Sequence, residues 1–382
     1  MLFILAFSLI SLVAELASGS WDMIDLEVYY RTAERMIASK ELYNVVSDGH
    51  YIYKYSPTAA IFFMPLTLLP YGLAKLVYWI SLTFLLIVVL QKLYNHIQSE
   101  SPNNEQLNKN AIFFAILTVL IHLDGELHLG QVNLILLAVY VFIIFAFMAN
   151  KQILTAFLLA ASIFIKPFGL IFLPYLLLKR KYLTLLFFSG FMVILFALPF
   201  LFYHSYESFL ELNKAWIREL VIELGSKQDL LAKSNHTIFS VLARYTPLRF
   251  VPMNGLWQKL YQIIVLAALG LLFLKFEKRQ QSVLAEMSVL IMLIPLFAFT
   301  SKYAFLFSLP LVLYLLSYYK ALSKPVKVLT IIGCILIGGN IYELYGPKIS
   351  MFLTEISMYS IGSICLLIAI YLFKKSSYSE PV

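Results

Sequence analysis

Residues 182–201 read YLTLLFFSGFMVILFALPFL, without one charge, and follow directly on Lys179-Arg180-Lys181. A helix needs about 20 apolar residues to cross a hydrocarbon core, and a basic triplet at its edge marks a cytoplasmic turn. Outward from this run the pattern repeats. Stretches 2–18, 72–91, 132–149, 255–274, 283–299, 304–318, 328–342 and 351–373 meet or approach the same length. Shorter ones at 111–122, 152–165 and 168–178 read as helices sheltered by neighbours, with Pro167 ending one and starting the next. The expectation is an all-α polytopic membrane protein with about twelve transmembrane helices. Composition agrees. Of 382 residues 61% are hydrophobic and 13% charged, with mean hydropathy +0.83, against roughly 45–50% and about 25% for globular chains. A soluble core of this size cannot hide that excess. A soluble enzyme, a nucleic-acid-binding domain and a disordered protein are excluded. Cys334 and Cys365 sit inside apolar runs and make neither a disulfide framework nor a zinc site.

Basic residues recur at every second turn: Lys179 to Lys181, Lys275 with Lys278 and Arg279, Lys320 with Lys324 and Lys327, and Lys374-Lys375. By the positive-inside rule this places both termini in the cytoplasm. Two long loops, about 19–57 and 202–254, then lie outside. The parity holds only if 58–70, fenced by Pro57 and Pro70, is re-entrant or interfacial and does not cross. Residues 1–18 read as a retained first helix. The alternative, a cleaved signal peptide, draws on the small residues Ala17, Ser18 and Gly19 but lacks a preceding Lys or Arg. No internal repeat or low-complexity tract appears, so a single integral-membrane domain over 1–382 is expected.

Polar residues concentrate in a few places. The first outer loop carries Trp21, Asp22, Asp25, Glu27 and Arg31. Leu26, Tyr29, Tyr30, Ala33 and Ile37 have the spacing of an amphipathic helix lying in the interface. His50, Tyr51, Tyr53, Lys54 and Tyr55 then lead into Pro57; tyrosines at this depth serve either as anchors or as substrate contacts. A second cluster, His122, Asp124, Glu126 and His128 before Gly130-Gln131-Val132-Asn133, reads as a connector of about nine residues facing a polar substrate. It lacks HExxH, and the histidines are six apart, which argues against a bound metal. Lys166 interrupts an apolar run, at a cost of roughly 2.5–3.5 kcal/mol unless it finds water or an anion. Asn235-His236-Thr237 with Arg244 either caps a helix beginning near Ile238 or faces a ligand. Lys302-Tyr303 occupies a short outer turn.

These clusters map to the outer face, where no nucleoside triphosphate or nucleotide sugar is at hand, and no phosphate-cradling glycine loop is present. A lipid-linked sugar phosphate meets both conditions. Its leaving group departs without a proton donor if cations stabilise the developing charge. One carboxylate is then needed to take the acceptor's proton in an oxocarbenium-like transition state.

The order of short motifs also resembles glycosyltransferase family 87. These are Asp25-Leu26-Glu27-Val28-Tyr29-Tyr30-Arg31 with Leu42-Tyr43, Tyr53-Lys54-Tyr55-Ser56-Pro57, Pro65 with Leu69-Pro70, Gly130-Gln131-Val132-Asn133, Ile165-Lys166-Pro167, and Asn235-His236-Thr237 with Arg244. The resemblance is closest over about 20–250. It implies a GT-C membrane enzyme moving a mannose-like hexose from a polyprenyl-phosphate sugar to a lipid or glycan acceptor, with inversion and no bound metal or other cofactor. By the same resemblance Asp25 is the general base. Arg31, Tyr53, Lys54, Gln131, Asn133, Lys166, Asn235, His236, Arg244 and Lys302 are expected to contact substrate or phosphate, with Asp22, Asp124, Glu126 and His128 as secondary candidates. Where the family carries a late histidine-rich outer turn, this chain has Thr300-Ser301-Lys302-Tyr303. A lipid-linked sugar flippase and an O-antigen polymerase or ligase are the competing readings. Membrane lipids are expected neighbours and nucleic acid is not. The tail Ser379-Glu380-Pro381-Val382 carries no retrieval signal, which favours a bacterial plasma membrane.

Overall fold

The computed structural model describes residues 1–48, 52–101, 107–226, 229–251, 255–279 and 282–373. His50, Tyr51, Lys374, Lys375 and the Ser379–Val382 tail lie outside them. The described residues are helical or irregular and form no strand. The chain divides into two compact units, Met1–Val89 with Leu123–Gln228, and Leu90–His122 with Asp229–Val382.

In the first unit, α1 (Leu2–Ser18) is followed by α2 (Ile24–Ile37), α3 (Pro57–Phe63), the start of α4 (Tyr71–Ser99) and the end of α5 (Ala111–Leu129). Then come α6 (Asn133–Met148), α7 (Gln152–Ile165), α8 (Phe172–Leu178), α9 (Tyr182–Ala197) and α10 (Tyr206–Ser226). Four polar residues on α1, Ser8, Ser11, Glu15 and Ser18, share a face by their spacing of three and four. Ser8 bonds Thr83 and accepts from Trp79 on α4. Ser11 donates to Asp124, and Glu15 meets His128, on α5. The two α5 pairs advance together, so α1 and α5 run parallel. Lys75 and Tyr71 of α4 reach the carbonyls of Trp21 and Asp22, so α4 runs antiparallel to α1. The opposite face of α1, with Leu5, Leu9, Ile10, Val13 and Leu16, is exposed and apolar, as a lipid-facing surface should be.

α2 forms at the predicted place, but its apolar face does not lie on lipid. Leu26, Tyr29, Tyr30, Ala33 and Met36 are buried, packed on α3 and the 3₁₀ turn Met64–Leu68 that follows it. Ser56 caps α3 by accepting from the amide of Ala59, and Pro57 takes the first helical position, where its missing N–H costs nothing. Helix and turn together, Pro57–Leu68, are too short to span a bilayer alone.

The second unit contains the end of α4, the start of α5, then α11 (Ile238–Tyr245), α12 (Gly255–Arg279), α13 (Val283–Phe297), α14 (Leu309–Ser317), α15 (Lys324–Gly338), α16 (Tyr342–Glu355) and α17 (Met358–Leu372). α13 and α14 are buried along almost their whole length and form the core. α12 buries only Phe276 and shows its apolar side chains outward. α15 and α17 touch through backbone at a glycine pair: a Cβ on Gly333 would stand 3.0 Å from the Gly362 carbonyl and 2.6 Å from Leu366.

Four helices among the described residues are long and apolar enough to cross a membrane: α4, α5, the α9 segment Tyr182–Leu201, and α12. α15 and α16 would make a fifth span but bend by 96° at their junction. Other apolar helices have 10–17 residues. Three expectations are corrected. Residues 122–129 are not a connector but the last turns of α5, because their leucines keep helical phase with the preceding run. Loop two is largely helical, holding α10 and α11. The runs 328–342 and 351–373 are not continuous helices: the backbone breaks at Gly339–Ile341, kinks at Gly346 (φ +71°) before Pro347, and turns again at Ser357 (φ +57°).

Candidate functional site

Two polar clusters stand out, one in each unit. In the first, Asp25 lies in the opening turn of α2. The turn that ends α5 comes so close that a Cβ on Gly130 would sit 2.7 Å from the Cβ of Leu26, and Gly130 holds φ +67°. Only glycine tolerates both. This contact brings Gln131 against Asp25, whose carboxylate takes a hydrogen bond from the Gln131 side chain. Tyr78 fixes the Gln131 backbone by donating to its carbonyl at 2.8 Å. Lys166 follows α7 in extended conformation (φ −143°, ψ 136°), as a residue before proline must. Its Nζ donates to Asn133 Oδ1 at 2.8 Å and lies 5.6 Å from the Tyr55 ring centre. Tyr55 in turn shares a hydrogen bond with Tyr29 at 3.0 Å. Burial pushes the Asp25 carboxyl above the usual range, opposed by the Gln131 hydrogen bond and the Lys166 and Lys54 charges. A half-buried acid between two amines and an amide is suited to accept a proton.

Glu126, fully buried, accepts from the Asn133 side chain and from the amides of Asn133 and Leu134 at the start of α6. Asp124 and His128 belong to a different α5 face, where they hold Ser11 and Glu15 of α1. The informative spacings in α5 are therefore 122 with 126 and 124 with 128, each one helical turn, and not the six residues between the histidines. Asp124 is exposed and engaged in packing α1, not gathered with Asp25. Two further expected contact residues have protein partners of their own. Arg31 pairs with Glu27 on the solvent side of α2, about 120° round the helix from Asp25. Tyr53 is 1% exposed and its hydroxyl serves the Ser56 carbonyl, so it builds the loop wall. Asp22 is exposed, its carbonyl bound by Tyr71. Tyr78 was not singled out in the sequence, and Tyr29 and Tyr55 stood there only as members of the α2 apolar face and of the tyrosine-rich motifs.

In the second unit, Thr237 is the N-cap of α11 through its hydroxyl, and Asn235 buttresses it by accepting from Thr237. The cap is thus one residue beyond the expected Asn235 and His236. His236 meets Ser357 Oγ at 3.1 Å, and His122 meets the Ile337 carbonyl at 3.0 Å. Both imidazoles pack against Phe305 and Tyr359. Burial first, then the Arg244 and Lys302 charges, bring the His236 pKa from 6.5 down to about 4. Arg244 spends its guanidinium on the carbonyls of Glu355 and Asn235 and on Ser357, latching the α11 loop to the α16–α17 junction. In this arrangement the guanidinium serves the fold rather than an open surface. Lys302 opens a 3₁₀ segment and lies against the Tyr303 ring. Among the described residues no three His, Cys, Asp or Glu side chains gather at one point.

An all-helical fold with long apolar spans, carrying a half-buried acid beside lysines, is that of an integral membrane protein with a polar working site. The chain belongs to glycosyltransferase family 87: residues 53–336, about three-quarters of the chain, match that family's model. It is a membrane glycosyltransferase. The match begins after Asp25 and extends well past the stretch 20–250 in which the motifs concentrate. No curated protein matches the chain.

Proposed function

We propose that the protein transfers a hexose, mannose-like, from a polyprenyl-phosphate sugar to a lipid or glycan acceptor on the extracytoplasmic face of a membrane, with inversion. The acceptor hydroxyl oxygen attacks the anomeric carbon while Asp25 takes its proton. The bond from that carbon to the phosphate oxygen breaks, its electron pair stays on the phosphate, and polyprenyl phosphate leaves. Lys166 and Lys54 neutralise the charge that develops there. One displacement with one carboxylate inverts the sugar carbon; retention needs a second carboxylate as nucleophile. The observation carrying this reading is the Asp25 cluster: an acid whose proton affinity burial has raised, flanked by two amines. The outward face is supported by the parallel course of α1 and α5 with α4 antiparallel, which is the parity required if 58–70 does not cross. Lys302 is proposed as an anion contact in the second unit.

The test is incubation of purified protein with polyprenyl-phosphate mannose, glucose and arabinose in turn, reading polyprenyl phosphate release and glycoside formation. The reading requires release with one donor and its loss in Asp25→Asn. Movement of the donor across a vesicle bilayer without a new glycosidic bond would replace it with the flippase reading, and joining of lipid-linked oligosaccharides with the polymerase or ligase reading.

A further inference from the structure

Among the described residues Glu126 is the deeply buried acid near Asp25 to which the proposed reaction gives no task. Its hydrogen bonds all run one way. Oε1 accepts from Asn133 Nδ2 at 2.5 Å, and Oε2 accepts from the backbone amides of Asn133 at 3.0 Å and Leu134 at 3.3 Å. Every partner is a donor, and the N-terminal end of α6 adds the positive end of its dipole, so the surroundings favour an acceptor-only carboxylate against its burial. The orientation of a side-chain amide is ordinarily ambiguous, since its oxygen and nitrogen look alike; next to such a carboxylate it is not. Asn133 must point Nδ2 at Glu126. Its second Nδ2 hydrogen then goes to Gln131 Oε1 at 2.8 Å and its Oδ1 to Lys166 Nζ at 2.8 Å. Gln131, its oxygen occupied, has only its NH₂ to offer Asp25.

We propose that Glu126 is a positioning residue for Asp25, acting through the fixed amide orientations of Asn133 and Gln131. This rests on the reading of Asp25 as general base. The Gln131 N–H favours the charged Asp25 carboxylate and leaves it acceptor capacity for an incoming hydroxyl, and the same Asn133 amide steers Lys166 through its oxygen. In Glu126→Gln the new amide cannot accept at both ends. Satisfying the two backbone amides turns its NH₂ toward Asn133, and Asn133 flips. Gln131 flips in turn and presents its oxygen to Asp25, which is tolerated only when Asp25 is protonated.

The groups facing Asp25 are Lys54 ahead of α3, Lys166 after α7, Tyr78 on α4, Tyr29 on α2 itself and Gln131 after α5. Ordinary lysines and phenols do not titrate between about pH 4 and 8, and the Glu126 carboxyl, linked to Gln131 through Asn133, is common to both proteins of each difference spectrum. Infrared difference spectra of purified protein against its Asp25→Asn counterpart read the carboxylic acid C=O band of Asp25 across that window, with no donor needed. Gln131→Ala, which removes the hydrogen bond outright, should raise the midpoint by about one pH unit, the size of one hydrogen bond to a charged group. Glu126→Gln should raise it at least as far, and the double variant no further. The acid limb of polyprenyl phosphate release from polyprenyl-phosphate mannose should move with it. A folded Glu126→Gln protein titrating at the wild-type midpoint, or an unmoved Gln131→Ala, overturns the proposal. If Glu126→Gln does not fold, Asn133→Leu decides: it keeps both backbone bonds to Glu126, breaks the relay, and must shift the midpoint upward. Full activity in Asp25→Asn would end the general-base reading while leaving the infrared result to stand or fall alone.

Discussion

The Asp25 cluster and the His122–His236 cluster are built from similar polar side chains and are chemically unlike. The first holds a carboxylate among donors: Gln131, Lys166 and Lys54 all favour its charged form while burial opposes it. The second holds two imidazoles, an arginine and a lysine, with His236 kept neutral by its cationic neighbours and by burial. It also keeps buried polar atoms that make no hydrogen bond, His122 Nδ1, Arg244 Nε and Asn340 Oδ1, whereas the Asp25 side is closed by a continuous chain of bonds from Glu126 onward. The proposed proton abstraction needs an acid, which the first cluster has, and the second cluster is suited to packing and to meeting an anion.

The strongest way to break this contrast is Asp25→Asn, expected to lower transfer by roughly 10²–10⁴-fold with insertion intact. Stability should move oppositely. Because the folded-state pKa of Asp25 is raised, its ionised form costs stability above that pKa. Asparagine should therefore melt higher at neutral pH, with the gain vanishing as pH falls through the Asp25 range in a fluorimetric scan. Lys166→Ala should cost about 10²-fold in donor turnover with a smaller change in acceptor affinity; equal losses for both would remove Lys166 from the phosphate. His236→Gln sharpens the other side. A histidine whose pKa falls from 6.5 to about 4 on folding makes the wild type lose stability as pH drops from 6.5 to 4, on the order of 3 kcal/mol at full protonation, and the variant should lose that slope. Gly130→Ala should cost about 1–3 kcal/mol in stability and reduce transfer through displacement of Gln131. Arg31→Ala, on the far side of α2, should stay within about 0.5 kcal/mol and change turnover little.

Asp25, Gln131, Asn133 and Lys166 were legible in the sequence because each is polar where its neighbours are apolar, and a burial cost of that size demands a use. The amphipathic phase of α2 was legible for the same reason. What its apolar face meets was not, since lipid and the α3 helix are alike to a tyrosine. Glu126 was misread because four polar residues in nine look like a loop. In the fold they belong to two faces of one helix, a distinction that depends on partners in α1 and α6. Arg244 looked like a ligand-binding cation; its carbonyl partners Glu355 and Asn235 lie 111 and nine residues away in the chain. The breaks around Gly339 and Gly346 were signalled by Gly338-Gly339-Asn340 and Gly346-Pro347, which the apolar length of a run does not register.

The polar stripe of α1 has a consequence for biosynthesis. Glu15 finds His128 only 113 residues later in the chain, and Ser11 finds Asp124 at the same separation. At roughly 5–20 residues per second of elongation, α1 waits about 6–23 s before its permanent neighbour has left the ribosome. During that interval a carboxylate on a newly inserted helix has to stay near water at the membrane edge or lean on whatever assists insertion, and α4, which satisfies Ser8 first, is the natural holding partner.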